Sequence, residues 1–213
     1  MEYFIDTTDQ KELESLFNDL KSRREKLGLK GGKSVGFTHL KMSLFDWRVE
    51  GNWERDNAFV RVARNTYTGE ILGGTFWMHT LRGERHASFR HIFLFEDWRG
   101  NGIAEALYNY RLQHTLERGV KRVRLFANIP ATNWHLKCGM RFIAQNKAGQ
   151  PFTYLPLFDV ETVKELGQKY DEIGFDKCIE MVQPEVDKQV NRLIGRGGRW
   201  LTKDEINLYW KLL

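Results

Sequence analysis

Apolar positions along this chain recur with two different periods, and the changes from one to the other mark its elements. Period-two runs at 2–5, Ala58–Arg64, Ile71–Met78, His86–Phe95, Lys121–Ala127, Arg141–Gln145 and Pro151–Phe158 predict strands. Thr68-Gly69-Glu70, between Arg64 and Ile71, reads as the turn of an antiparallel hairpin. Helical spacing appears at Leu13, Leu16, Phe17 and Leu20, with Thr7 or Thr8 as the cap. A second helix carries Ile103, Leu107 and Tyr110 on one row and Ala104, Tyr108, Leu112 and Leu116 on another, and stops at Gly119. This order predicts an α/β fold in which a mixed sheet has helices on both faces.

Beyond Phe158 the rhythm is helical only. Val160, Val163 and Leu166 begin one segment, and Val182, Val186, Val190 and Leu193 continue another. Thr202-Lys-Asp-Glu205 has the form of a capping box for a last helix with Ile206, Tyr209, Trp210 and Leu213 on one stripe. Gly195-Arg-Gly-Gly-Arg-Trp200 reads as a linker, a phosphate or nucleic-acid contact being its less favoured role.

Composition narrows the class. Hydrophobic residues make up 41% and charged residues 29%, and no apolar run reaches the length of a membrane span, so no membrane partner is expected. The start, Met1-Glu-Tyr-Phe-Ile-Asp, lacks a basic region followed by an apolar one, which makes the cytoplasm the expected compartment. Cys138 and Cys178 have no paired spacing, and the histidines at 39, 79, 86, 91, 114 and 135 form no ligand cluster, so neither a disulfide framework nor a metal is expected. A net charge of +5 permits nucleic acid without favouring it, since so small an excess also serves solubility or anion capture. Lys21-Ser-Arg-Arg-Glu-Lys26 is the solvated end of the first helix. Gly28-Leu-Lys-Gly-Gly-Lys-Ser34 is out of register for a P-loop and follows a helix, so it reads as a loop. The aromatics Phe45, Trp47 and Trp53 suit either core packing or contact with an acceptor.

The most chemically informative residues are Arg99, Gly100, Asn101, Gly102, Ile103 and Ala104, between an apolar strand and a helix. Glycines at 100 and 102 let backbone N–H groups converge, and the helix adds its first-turn donors and positive dipole end, which together suit a pyrophosphate. The order strand, Arg-x-x-Gly-x-Ala, helix resembles the acyl-CoA-binding motif of the GCN5-related N-acetyltransferases. Downstream, Asn128-Ile-Pro-Ala131-Thr-Asn-Trp134-His135-Leu-Lys-Cys-Gly139-Met-Arg-Phe142 is similar to that family's Asn-x-x-Ala/Ser…Tyr/His…Gly-Phe segment. The resemblance covers roughly residues 1–158 and implies a mixed, mostly antiparallel central sheet flanked by helices, forming an acyltransferase domain over 1–158 with a helical C-terminal extension over 159–213.

It also implies acetyl-CoA, or another short acyl-CoA, as co-substrate, with no metal, and a small-molecule or peptide amine as acceptor. Residues 99–104 would bind the pyrophosphate, the main-chain amides of Phe93, Leu94 and Phe95 the pantetheine arm, and Asn128 and Trp134 the same arm from the other segment. Where many members carry a Tyr that protonates the leaving thiolate, register from Asn128 and Gly139 puts His135. A cofactor-packing or capping role for His135 stays open. So does a slip of register that makes Trp134 the counterpart, leaving Tyr154 or solvent to supply the proton. For the base, Glu96, His91 and His79 lie on or beside the central strands; His91 is preferred, with a structural histidine and an ordered water as alternatives.

The function expected is transfer of an acetyl group from acetyl-CoA to a primary amine by direct attack. Two alternatives remain: a nucleic-acid-directed transferase on the same fold, and a non-catalytic binding or assembly protein. In the second, the C-terminal helices are a candidate homodimer interface.

Overall fold

The computed structural model describes residues 2–26, 40–41, 57–80, 86–120, 122–156, 168, 171–174, 177, 180 and 185–206. They belong to two units, one formed by Met1–Met78 with Arg90–Arg111 and the other by His79–Phe89 with Leu112–Leu213. The expectations for Gly28–Ser34, Phe45, Trp47, Trp53, Val160–Leu166 and Tyr209–Leu213 lie outside the described residues.

In the first unit β1 (Tyr3–Asp6) pairs antiparallel with β2 (Ala58–Asn65), and β2 pairs antiparallel with β3 (Ile71–Thr80), Val60 facing Phe76. The later half of β4 (His86–Leu94) lies next to β3. Asn65 closes the β2–β3 turn by accepting the N–H groups of Tyr67 and Thr68 at 2.8 and 3.1 Å. Pairing skips Leu72, because Ala63 faces Gly73 while Arg64 faces Ile71. This bulge reverses the alternation, so Ile71 and Phe76 fall in the same cluster.

Opposite faces of these strands bury different helices. Leu13 of α1 (Gln10–Lys26), with Leu16, Phe17 and Leu20, packs on Val60, Val62, Phe76 and Phe93. Ile103 and Leu107 of α2 (Ile103–Glu117) pack with Ala63, Leu72 and Leu94. Val62 and Ala63, like Phe93 and Leu94, are strand neighbours and so point opposite ways. The buried stripe of α2 also holds Arg111, 1% exposed, which donates to Thr75 Oγ1 at 3.3 Å and lies 4.2 Å over the Tyr108 ring.

The α1 cap is neither Thr7 nor Thr8. Asp9 Oδ1 accepts the Glu12 N–H at 2.7 Å, and Thr8 Oγ1 instead donates to Glu12 Oε2 at 2.7 Å. Arg64 binds Glu12 at 2.7 Å and Asp6 at 2.9 Å, which joins β2 to β1 and α1. Its guanidinium holds the Glu12 carboxyl below the usual carboxylate range.

In the second unit the first half of β4 runs parallel to β5 (Arg122–Phe126), with Ala87 facing Val123 and Phe89 facing Leu125. The β5 strand pairs antiparallel with β7 (Pro151–Pro156), and β7 with the two-residue β6 (Ala144–Gln145). The expected strand over Arg141–Gln145 is thus reduced to its end, the chain just before it still closing the preceding helix through the Met140 N–H to the His135 carbonyl at 3.0 Å.

Two elements of the tail are also described. In α4 (Glu185–Ile194), Val190 and Leu193 are buried as their spacing predicts. The segment expected to be a linker is structured: Arg199–Trp200 form β8, antiparallel to β6. Gly198 makes this approach possible, since a Cβ there would stand 2.7 Å from the Gln145 carbonyl oxygen. The capping box is formed in both directions, Glu205 N–H to Thr202 Oγ1 at 3.2 Å and Thr202 N–H to Glu205 Oε2 at 2.8 Å.

The strands are thus mostly antiparallel, the parallel β4–β5 pair belonging to the second unit, and helices flank them. Among the described residues no helix is long and apolar enough to cross a membrane, and no group of three His, Cys, Asp or Glu side chains could hold a metal ion.

Candidate functional site

The expected site residues divide between the two units. His91, Phe93, Leu94, Phe95, Glu96 and residues 99–104 belong to the first; His79, Asn128, Trp134 and His135 belong to the second.

In the first unit β4 ends at Leu94, and a 3-10 turn over Glu96–Trp98 leads into Arg99. Gly100 and Gly102 have φ of 79° and 74°, the left-handed region that costs a side-chain-bearing residue about 1–2 kcal/mol. A Cβ at either position would meet nothing within 4 Å, so the requirement for glycine is one of backbone shape, with open space in front of it. Asn101 Nδ2 donates to the Trp98 and Arg99 carbonyls, both at 3.2 Å, and so ties down the acceptors of the turn. The Gly102 carbonyl accepts the Ala106 N–H at 3.0 Å, which makes Gly102 the residue that starts α2. The first-turn amides of Ile103 and Ala104 consequently have no acceptor within the helix and sit at its positive end. Such a turn can bind an anion through main-chain donors.

The strand feeding the turn has a defined polarity. Phe95 N–H donates to the Leu72 carbonyl at 3.2 Å, and the Phe93 carbonyl is so close to β3 that a Cβ on Gly73 would lie 2.5 Å from it. Polar groups of successive residues point to opposite edges of a strand, so the Leu94 amide is directed away from β3 while those of Phe93 and Phe95 face it. Of the three amides expected to serve a ligand, those of Phe93 and Phe95 thus face β3 and that of Leu94 faces away from it. The Phe93 side chain is fully buried in the α1-side cluster.

His91 is half-buried on β4, its ring stacked 6.4 Å from that of Phe76 and its carbonyl accepting Thr75 Oγ1 at 3.2 Å. Glu96 is exposed, with Arg99 Nη2 3.8 Å away. In the second unit His79 is buried, 3.2 Å from Thr115 Oγ1 and with its ring 5.8 Å from that of His114. Burial, reinforced by His114 and Arg118, lowers its pKa to about 4, so it is neutral at neutral pH.

Asn128 follows β5 at the start of a second 3-10 turn, Ile129–Ala131, which leads directly into the short helix α3 (Thr132–Lys137). Trp134 is half-buried and His135 is 9% exposed, their rings 4.9 Å apart at 64°. Cys138, Gly139 and Met140 return N–H groups to the Trp134, Leu136 and His135 carbonyls at 2.9, 2.8 and 3.0 Å. Arg141, 1% exposed, adds bonds from Nη1 to the Leu136 and Met140 carbonyls at 3.3 and 3.1 Å. Its charge is met by Asp171, whose two oxygens each accept from Nη2 at 2.9 Å.

Two supports of this segment were not foreseen. Asp171 holds Arg141, and Gln150 Nε2 donates to Asn128 Oδ1 at 3.1 Å. Arg141 lies inside the Gly139–Phe142 motif, but nothing local to either pair announces a partner 30 or 22 positions away.

The arrangement agrees with comparisons to known proteins. A family model described as the acetyltransferase (GNAT) family matches residues 13–140. No curated protein sequence matches the chain. Among solved structures, an acetyltransferase of the GNAT family from Staphylococcus aureus Mu50 aligns with 74% of this chain and 100% of its own, at TM-score 0.52 and 13% identity. A putative acetyltransferase from Exiguobacterium sp. 255-15 aligns with 72% of this chain and 92% of its own, at TM-score 0.51 and 22% identity. PaiA N-acetyltransferase from Thermoplasma acidophilum, in complex with coenzyme A, aligns with 72% of this chain and 98% of its own, at TM-score 0.51 and 11% identity. At such identities the structures establish a shared fold, and the family match covers more than half of the sequence. This chain belongs to the GNAT acetyltransferase family.

Proposed function

We propose that this protein is an acyl-CoA-dependent N-acyltransferase that moves an acetyl group from acetyl-CoA onto a primary amine of a small molecule or peptide, by direct attack. The carrying observation is the Arg99–Ala104 turn, whose two left-handed glycines and first-turn amides, with nothing within 4 Å of either glycine's Cβ position, suit a main-chain anion site. A coenzyme A complex of a protein sharing the fold, PaiA N-acetyltransferase, supports the same assignment. We assign the acyltransferase domain to 1–158 and treat 159–213 as its C-terminal extension.

Bound acetyl-CoA would supply the activated thioester carbonyl. The amides of Gly100 to Ala104 bind its pyrophosphate, and the Leu94 amide meets the pantetheine arm. As the amine nitrogen bonds to the acyl carbon and the carbon–sulfur bond breaks, one proton must leave the amine and one must reach the sulfur. His91, half-buried on β4, is assigned to the first transfer through a water, and His135 to the second. Glu96 is exposed beside Arg99 and has the weaker claim to the base role.

Calorimetry with acetyl-CoA, followed by mass analysis of a panel of amines and peptides incubated with it, tests the assignment. Saturable binding and an acetylated product are expected; absence of both overturns it. Replacing the acid, His135→Phe, should lower kcat by about 100-fold with acetyl-CoA binding retained. Full turnover of that variant removes His135 from the mechanism.

A further inference from the structure

Resting on the reading of His135 as the proton donor, we propose that Asp171, which lies in the C-terminal extension, is a positioning residue for α3. Through Arg141 it fixes the helix that carries Trp134 and His135, which makes the extension part of the catalytic apparatus. A helix of six residues closes few hydrogen bonds of its own and depends on outside partners. The carbonyls of Trp134, His135 and Leu136 find theirs in the N–H groups of Cys138, Met140 and Gly139, at 2.9, 3.0 and 2.8 Å. The chain that supplies these donors must therefore stay folded back on the helix. Arg141 ties it there, because its Nη1 donates both to the Leu136 carbonyl at 3.3 Å and to the Met140 carbonyl at 3.1 Å. A cation at this end also complements the helix dipole.

Asp171 sets the direction of that nitrogen. Its Oδ1 accepts from Arg141 Nε at 3.2 Å and from Nη2 at 2.9 Å, and its Oδ2 accepts from Nη2 at 2.9 Å. A guanidinium is planar and rigid, so a carboxylate that holds Nε and Nη2 also decides where Nη1 points. The arginine is 1% exposed, and a charge so far from water is costly unless an opposite charge meets it. Asp171 itself is half-exposed, so it can be exchanged without opening a cavity. Both residues belong to the second unit, as does His135. The effect reaches the chemistry through geometry alone: a reacting group displaced by about 1 Å can cost up to about 100-fold in rate.

The test uses the full-length protein, well below its unfolding midpoint, with acetyl-CoA and the amine of the panel that the wild type acetylates best. Asp171→Asn keeps the shape of the side chain and removes its charge; kcat should fall about tenfold while Kd for acetyl-CoA stays within about threefold. Asp171→Glu, which restores the carboxylate, should return kcat to within about threefold of the wild type. In a His135→Phe background Asp171→Asn should lower kcat no further, since the group it places is gone. A readout apart from activity is the proton NMR signal of the His135 imidazole, identified by its loss in His135→Phe. With the Trp134 ring 4.9 Å away, that signal should shift in ligand-free Asp171→Asn, whereas the His79 signal should not. The proposal is overturned if kcat is unchanged in Asp171→Asn, if it falls equally in the His135→Phe background, if Glu does no better than Asn, if Kd rises as far as kcat falls, or if the His135 signal stays in place. Full turnover by His135→Phe, or a wild type that acetylates nothing, is a separate result, which removes the reading of His135 as the acid and this proposal with it.

Discussion

The turn over Arg99–Ala104 and the segment from Asn128 to Arg141 reach their functional shapes by different means. The first is made of main chain. Its donors are amides, its shape comes from two left-handed glycines, and its one side-chain brace, Asn101, bonds carbonyls two and three residues away. The second is made of side chains held by other side chains: Gln150 donates to Asn128 Oδ1, and Arg141, paired with Asp171, donates to the carbonyl end of α3. A main-chain site tolerates substitution around it but not of its glycines. A side-chain site can be disabled from a distance.

Three measurements sharpen this contrast. The largest effect is expected from Asp171→Asn, which leaves the buried Arg141 guanidinium without its counter-charge. Because Asp171 itself is half-exposed, the cost is discounted to about 2 kcal/mol, read as a lower midpoint in urea. An unchanged midpoint would show that the pair holds nothing. Next, Gly102→Ala should cost about 1–2 kcal/mol in the turn, seen as roughly a tenfold weaker acetyl-CoA affinity, because the new methyl meets no atom and only the positive φ is penalised. Affinity equal to the wild type would mean that the turn does not hold the ligand.

The smallest effect concerns pH. Main-chain amides do not titrate, whereas Glu205, bonded by Arg199 and by the Thr202 N–H, has its pKa lowered from 4.5 to about 2. A depressed carboxylate pKa stabilises the fold fully above the unfolded value and loses that contribution as pH falls through the folded one. Hydrogen exchange at 199–206 should therefore rise progressively below about pH 4.5, and in Glu205→Gln it should be raised at neutral pH already. The exposed setting of the pair keeps the change small.

The same contrast explains what was legible beforehand. The hairpin closed at Asn65–Glu70 and the Thr202–Glu205 box are legible because each interaction closes within five residues, and the left-handed backbone at Gly100 and Gly102 is equally local. The α1 cap was misplaced by one or two residues because Thr7, Thr8 and Asp9 are all competent caps, and Arg64, 52 positions from Glu12, draws Glu12 into its own ion pair. Of the three β4 amides assigned to a ligand, two face β3, a fact that depends on which edge of the strand pairs. Arg199–Trp200 reads as part of a linker because two residues carry no period, and their strand exists only through β6.

By itself, then, the sequence determined the alternation that builds the strands, the family, and the glycine turn before α2, since propensity, periodicity and left-handed glycine are properties of neighbouring residues. Only the tertiary structure decided that Leu72 bulges, that Arg111 is buried, that Asp171 meets Arg141 and that Gln150 donates to Asn128. Each of these is a contact between residues far apart in the chain, and its partner is selected by the folded packing rather than by any local preference.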